Sequence, residues 1–144
     1  MEYIRVTSVT DDLVAYVKAA IESIPSHDGK AKEPHAIRRT LTQIINDPRG
    51  LCIVAVEGEV PQGMLLAQCA PEIFSDELVA MCILWYAPND PRLAKRLSGV
   101  FEKWAYGIEG VKRLQYASPC NDRLDKLYLR KGFRLVERAY HKEI

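Results

Sequence analysis

Asn121-Asp122-Arg123-Leu124-Asp125-Lys126-Leu127-Tyr128-Leu129-Arg130-Lys131-Gly132-Phe133 is the stretch that decides the fold. Asn121 and Asp122 carry side-chain oxygens that accept from the unpaired N–H groups of a first helical turn, so they predict a helix start. Leu124, Leu127 and Tyr128 recur at helical spacing, which predicts that the leucines bury this helix against a sheet. Gly132 ends it, because glycine takes the left-handed conformation of a C-terminal cap without strain. Tyr128 lies two turns after the cap on the same face. On physics alone it is a core residue with a satisfied hydroxyl, or one that offers the hydroxyl to a cleft.

Working outward, Leu114–Ala117 reads as a short strand before this helix and Phe133–His141 as a last strand after it. Leu93, Leu97, Val100, Phe101, Trp104 and Ile108 mark a long helix closed by Gly110. Leu51–Val56 and Gly63–Ala70 read as strands joined by the polar connection Glu57–Gln62. Leu78–Tyr86 is apolar on both faces, as a buried central strand is. Near the N-terminus a strand over Ile4–Val9 precedes a helix that is capped at Thr10-Asp11-Asp12 and stopped by Pro25. A polar loop, Ser26–Lys32, leads to a second helix that starts at Pro34 and ends at Asn46–Gly50. The order is β-α-α-β-β-β-α-β-α-β. It predicts an α/β (α+β) fold with a mixed, mostly antiparallel central sheet of about six strands and four helices. The central hairpins are antiparallel, and a crossover in the C-terminal half implies a parallel pair.

Composition fits one domain spanning residues 1–144, with 48% hydrophobic and 27% charged residues. A chain of this length buries enough surface to fold without disulfides or metal. Its net charge is +1, from 20 basic and 19 acidic side chains, which argues against a coat for nucleic acid or an anionic membrane. The sum hides a split: residues 1–88 carry −5 and residues 89–144 carry +6. The basic residues of the second half are interleaved with acids, and no nucleic-acid motif occurs. No apolar run reaches the ~20 residues that span a bilayer. Met1–Arg5 lacks the basic lead into an apolar core that marks a secretory signal, so a cytoplasmic location is expected. Cys52, Cys69, Cys82 and Cys120 form no C-x-x-C pair and have no His at zinc spacing. The first three fall in apolar strand-like runs and read as buried thiols, while Cys120 sits in a turn.

Asn121, Leu127, Tyr128, Gly132 and Phe133, at this spacing, resemble the last motif of the GCN5-related N-acetyltransferases, and the element order resembles that family's fold over essentially the whole chain. The resemblance implies acetyl-coenzyme A (acetyl-CoA) as donor, no metal, and direct transfer to an amine of a small molecule or protein. It implies that Tyr128 is the general acid that protonates the leaving thiolate, and that Asn121 contacts the pantetheine arm. Leu78–Tyr86 matches the strand that splays from its neighbour and holds the pantetheine by backbone groups, with Leu84 and Tyr86 as the expected contacts. The family's glycine-rich phosphate motif is replaced by Asn89-Asp90-Pro91-Arg92-Leu93-Ala94-Lys95-Arg96. Ala94 matches its final small residue, while Arg92 stands at a glycine position. Arg92, Lys95 and Arg96 put positive charge at the helix start, either as a phosphate site or as a solvated basic surface. Asp90 opposes the first role unless it caps the helix.

Candidates for the base that takes the ammonium proton are Glu57, Glu72, Asp76, Glu77, His27 and His35; each also reads as a solvated surface group. The negative N-terminal half favours a cationic acceptor, and a homodimer is a further expectation. The altered phosphate motif keeps a second reading open: a binding or regulatory module that retains the fold without catalysis.

Overall fold

Five strands lie side by side in chain order, β1-β2-β3-β4-β5, in a computed structural model that describes residues 1–24, 33–118, 121–142 and 144. The elements are β1 (Glu2–Arg5), α1 (Asp11–Glu22), α2 (Pro34–Asn46), β2 (Gly50–Glu57), β3 (Val60–Pro71), β4 (Leu78–Tyr86), α3 (Pro91–Tyr106), β5 (Val111–Gln115) and α4 (Asp122–Arg130). The first three junctions are antiparallel and β4–β5 is parallel. The parallel junction follows from α3, which carries the chain back to the starting edge before β5 begins.

Alternation along β2 explains the two layers. Cys52 and Val54 face α1 and α2, where they meet Leu13, Val17, Leu41 and Ile44. Leu51, Ile53 and Ala55 face α3, where they meet Leu93, Leu97 and Phe101. A strand covered by helices on both faces needs apolar side chains at every position, hence the unbroken run Leu51–Val56. Phe101 is fully buried, and burying a side chain of this size stabilises by roughly 1.5–3 kcal/mol. Thr10 caps α1, its side-chain oxygen accepting from Leu13 N at 3.1 Å. Pro34 opens α2, where its missing N–H costs nothing. Gly58, with φ +61°, makes the β2–β3 hairpin much tighter than the six-residue connection predicted from Glu57–Gln62.

The C-terminal part departs from expectation in two ways. Leu127 is 36% exposed and α4 has no buried residue, so the leucines do not sink this helix into the sheet. Its anchors are aromatic instead, described below. The predicted sixth strand, Phe133–His141, is not formed. After Phe133 the segment has no ladder partner among the described residues, and strand propensity without a neighbouring strand makes no strand. Pro25, the Ser26–Lys32 loop with His27, and Cys120 lie outside the described residues. Among the described residues no helix is long and apolar enough to cross a membrane.

Candidate functional site

β4 contains one residue too many for its partner. Leu66 pairs with Leu84 and Ala67 with Cys82, so Ile83 has no opposite number on β3. Such a bulge bends the strand that carries it. On its other side β4 pairs with β5 only from Leu78 to Met81. Beyond Met81 the two parallel strands part, and backbone groups of β4 between Cys82 and Tyr86 open into the gap. A cleft of about 180 Å³ fills this gap. Cys82, Ile83, Leu84 and Trp85 line one side and Tyr116, Ala117 and Ser118 the other, with Ile24 from the chain just after α1 and Leu124 and Tyr128 from α4.

Tyr128 is fixed by aromatic contacts. Its ring stacks on Tyr116 with centroids 4.9 Å apart and 17° between planes. Phe133 closes on both rings, 5.3 Å from Tyr116 and 6.0 Å from Tyr128, and its N–H donates to Tyr128 O at 3.0 Å. Gly132 makes that return with φ +91°. Tyr116 in turn packs edge-on against Phe101 of α3. A line of aromatic rings therefore connects the core to the cleft. Burial pushes the Tyr128 hydroxyl well above its ordinary value of 10.0, with further rises from Cys82 and Asp125. Burial does the same for Tyr116, reinforced by Glu102, Cys82 and Tyr128. Both phenols are protonated throughout the neutral range. The Cys82 thiol is pushed up to about 12 by burial and is likewise a neutral thiol there.

The helix start at α3 settles the role of Asp90. Its carboxylate accepts from Leu93 N at 3.0 Å and its carbonyl from Ala94 N, also at 3.0 Å. Asp90 is thus the N-cap, and Asn89 before it takes φ +61° to make the turn. Pro91 has no N–H, which leaves Arg92 N as the uncommitted donor of this first turn. Arg92, Lys95 and Arg96 are exposed around it. Ala94 is partly buried, and its carbonyl accepts from Trp85 Nε1 at 3.0 Å, which ties the cleft wall to α3.

The other expected residues fall as follows. The Leu84 side chain is 5% exposed and belongs to the α1/α2 core, so only its backbone and one edge reach the cleft. Tyr86 packs edge-on against Tyr16 of α1, with centroids 5.8 Å apart, on the same side of the sheet. Asn121 is exposed and spends its side-chain oxygen on Leu124 N at 3.1 Å as the cap of α4. Glu72 and Glu77 bind Arg113 at 3.3 and 3.8 Å beside the start of β4, the end where β4 and β5 are still paired, and Asp76 sits in the same turn. Glu57 meets the N-terminal amine at 3.5 Å. His35 is exposed beside Glu33 at the start of α2. None of these acids, nor His35, lines the cleft. The sequence reading missed Cys82, Trp85 and Tyr116 as cleft residues. A position just past the carboxyl end of a parallel strand, which Tyr116 holds, was the signal for one of them.

A second cavity, of about 300 Å³, lies between the ends of β1 and α2. Among its polar groups, Arg5 donates to Gly50 O, and the Asp47 carboxylate accepts from Arg49 N and Gln68 Nε2.

No family model and no curated protein matches the chain at the level of sequence. Solved structures do. A transcriptional regulator from Bacillus halodurans C-125 superimposes with a TM-score of 0.72 at 16% identity, covering 99% of this chain and 100% of that one. The aminoglycoside N-acetyltransferase AAC(6')-Iy in complex with CoA gives 0.67 at 15% identity, covering 99% and 93%. The aminoglycoside 6'-N-acetyltransferase AAC(6')-IG from Acinetobacter haemolyticus gives 0.65 at 16%, covering 100% and 99%. With the sheet order, the bulged β4 and the parted β4–β5 pair already described, these similarities give the chain the fold of the GCN5-related N-acetyltransferases.

Proposed function

We propose that the chain is an acetyl-CoA-dependent N-acetyltransferase acting over residues 1–144 as one domain. The observation that carries this reading is Tyr128, a phenol held protonated at the cleft where β4 and β5 part. An extended thioester-bearing arm suits a gap flanked by unpaired strand backbone, and Leu84 and Tyr86 contribute that backbone. The amine nitrogen attacks the acetyl carbonyl, the C–N bond forms, and the C–S bond breaks. Tyr128 Oη gives its proton to the leaving sulfur, and the new ammonium loses a proton to water at the open mouth. Backbone N–H groups of β4 stabilise the oxyanion in passing. Arg92, Lys95, Arg96 and the Arg92 N–H take the phosphates, and Asn121 and Ala94 border the arm.

The acceptor is a cationic amine. Residues 1–88 carry a net −5, all of it from residues 47–88 because the stretch with α1 and α2 sums to zero; that half as a whole favours a cation. Two of the similar structures are aminoglycoside acetyltransferases, so polycationic aminoglycosides head the panel. The test is thiol release from acetyl-CoA with a panel of mono- and polyamines and basic peptides. Acetylation of at least one amine, abolished or strongly reduced in Tyr128→Phe, is the expected result.

One observation favours a second reading. Asp90 caps α3 with a carboxylate where phosphates would bind, and one similar structure is a transcriptional regulator. A non-catalytic module would follow if calorimetry found no acetyl-CoA binding at high micromolar concentration.

A further inference from the structure

α4 carries the proposed proton donor without burying a residue of its own, so its place beside the cleft depends on what it is tied to. Aromatic rings are one tie: Tyr128 stacks on Tyr116, and Phe133 closes on both. The other tie is electrostatic. Lys131, the C-cap of α4, puts its Nζ 2.7 Å from Oε2 of Glu102 on α3. Among the described residues this is the only ion pair that links α4 or its caps to another element. Ion pairs in open water contribute little, because solvent and salt screen them. This pair is partly withdrawn from water, with the Glu102 side chain 17% exposed and that of Lys131 33%. Neither group lines the cleft, and the acetyl transfer assigns neither a task.

Their placement gives them one. Glu102 follows Phe101, the fully buried residue whose ring meets Tyr116 edge-on. Lys131 lies one helical turn after Tyr128, and its N–H donates to Tyr128 O at 3.1 Å. Its Nζ also stands over the Tyr116 ring, 5.8 Å from the centroid, where a cation is attracted to the π face. Glu102 thus fixes Lys131, and Lys131 shares Tyr116 with the Tyr128 ring. We propose, resting on Tyr128 as the proton donor, that Glu102 and Lys131 are positioning residues: their ion pair clamps α4 to α3 and so aims the Tyr128 hydroxyl at the leaving sulfur. They touch no reacting atom and act only through Tyr128. A displacement of about 1 Å at a reacting group can cost on the order of 10²-fold in rate, so the clamp has an effect to exert.

The test is steady-state thiol release from acetyl-CoA, with nuclear Overhauser contacts between the Tyr116 and Tyr128 rings measured on the same variants. Glu102→Ala and Lys131→Met should each lower kcat roughly tenfold while KM for acetyl-CoA stays within about twofold. Both should weaken the ring contacts and leave the circular dichroism of the helices unchanged. Lys131→Arg keeps the cation and should hold kcat within about threefold of wild type. In a Tyr128→Phe chain, adding Glu102→Ala should lower kcat no further, because a residue that acts through the phenol has nothing left to aim. Lys131→Met as active as Lys131→Arg overturns the proposal, and so does a full further roughly tenfold loss in the Tyr128→Phe chain. If the wild-type chain acetylates no amine, the reading of Tyr128 as donor fails and the ring contacts alone decide the clamp: contacts unchanged in Glu102→Ala overturn it.

Discussion

Tyr116 and Tyr128 are stacked, 4.9 Å between centroids and 17° between planes, although they belong to different elements. The stack joins the end of β5 to α4, a helix with no buried residue of its own. Tyr116 also carries a buried hydroxyl without a hydrogen-bond partner among the described residues; nearby Ser98 donates its own proton to Lys95 O. Replacing Tyr116 with Ala should cost about 3–5 kcal/mol. Tyr116→Phe, which removes only the unpaired hydroxyl, should be neutral or stabilising by up to about 1 kcal/mol. Urea unfolding of the two variants gives both values, and a large loss in Tyr116→Phe would reveal a partner for the hydroxyl.

Tyr128→Phe keeps the ring and the stack and removes the proton. The expected outcome is a fall in kcat of roughly 10²-fold, with KM for acetyl-CoA changed no more than a few-fold. Steady-state thiol release measures both. Equal kcat in the two proteins would remove Tyr128 from the proton transfer.

Cys82 lines the same cleft, yet its thiol sits near 12, far above neutral pH. A neutral thiol is a poor nucleophile, so transfer through an acetylated Cys82 is disfavoured. Cys82→Ala should keep kcat within a few-fold, and initial-rate patterns with both substrates varied should intersect rather than run parallel. Loss of activity together with a trapped acetyl group on the wild-type thiol would reverse this reading.

Asp90→Asn retains a side-chain oxygen for Leu93 N and discards the negative charge. A charge at a helix N-terminus is worth about 0.3–1 kcal/mol. Coenzyme A should therefore bind about 2–5-fold more tightly to the variant at low salt, and the gain should shrink as salt is added. Calorimetry across an ionic-strength series checks it; weaker binding would mean that Asp90 organises the site beyond its capping role.

Burial raises the acid groups of Cys52, Cys82, Tyr116 and Tyr128 above their ordinary values of 9.0 for the thiols and 10.0 for the phenols. Each group then favours its neutral form in the folded chain. That contribution to stability is complete below the ordinary value and drains away as pH rises toward the folded one. Tm should be flat up to about pH 9 and fall steadily toward pH 12, where the Cys52 thiol titrates at about 12. Scanning calorimetry in this window is the check, and a flat Tm to pH 11 would mean that these groups gain nothing from burial.

Local signals made most of the fold legible. Thr10, Pro34 and Asn121 each mark a helix start that is where the chain places it, because capping chemistry acts within one turn. The run Leu78–Tyr86 is an interior strand between β3 and β5, though only Ala80 and Leu84 of its residues are buried, because it borders the open end of the sheet. Phe133–His141 misled for the opposite reason: its residues suit a strand, but a strand also requires a neighbour, which is a non-local fact. At the site, Tyr128 was legible from its motif. Leu84 and Tyr86 are expected pantetheine contacts through their backbone groups, and their side chains turn toward α1 and α2, where Tyr86 meets Tyr16.

The extra residue Ile83 changes what the numbering of β4 means. Before it, the even positions Ala80 and Cys82 look toward α3; after it, the even positions Leu84 and Tyr86 look toward α1 and α2, and the odd position Trp85 looks toward α3. Ile83 acts as a frameshift written in three dimensions. Deleting this one residue would leave Cys82, Leu84, Trp85 and Tyr86 on the faces they already hold, in unbroken alternation opposite Ala67, Leu66, Leu65 and Met64, and would remove the bend that the bulge puts into β4. The cleft is thus specified by a count of residues as much as by their identity, and an insertion or deletion at position 83 reaches it more directly than any substitution there.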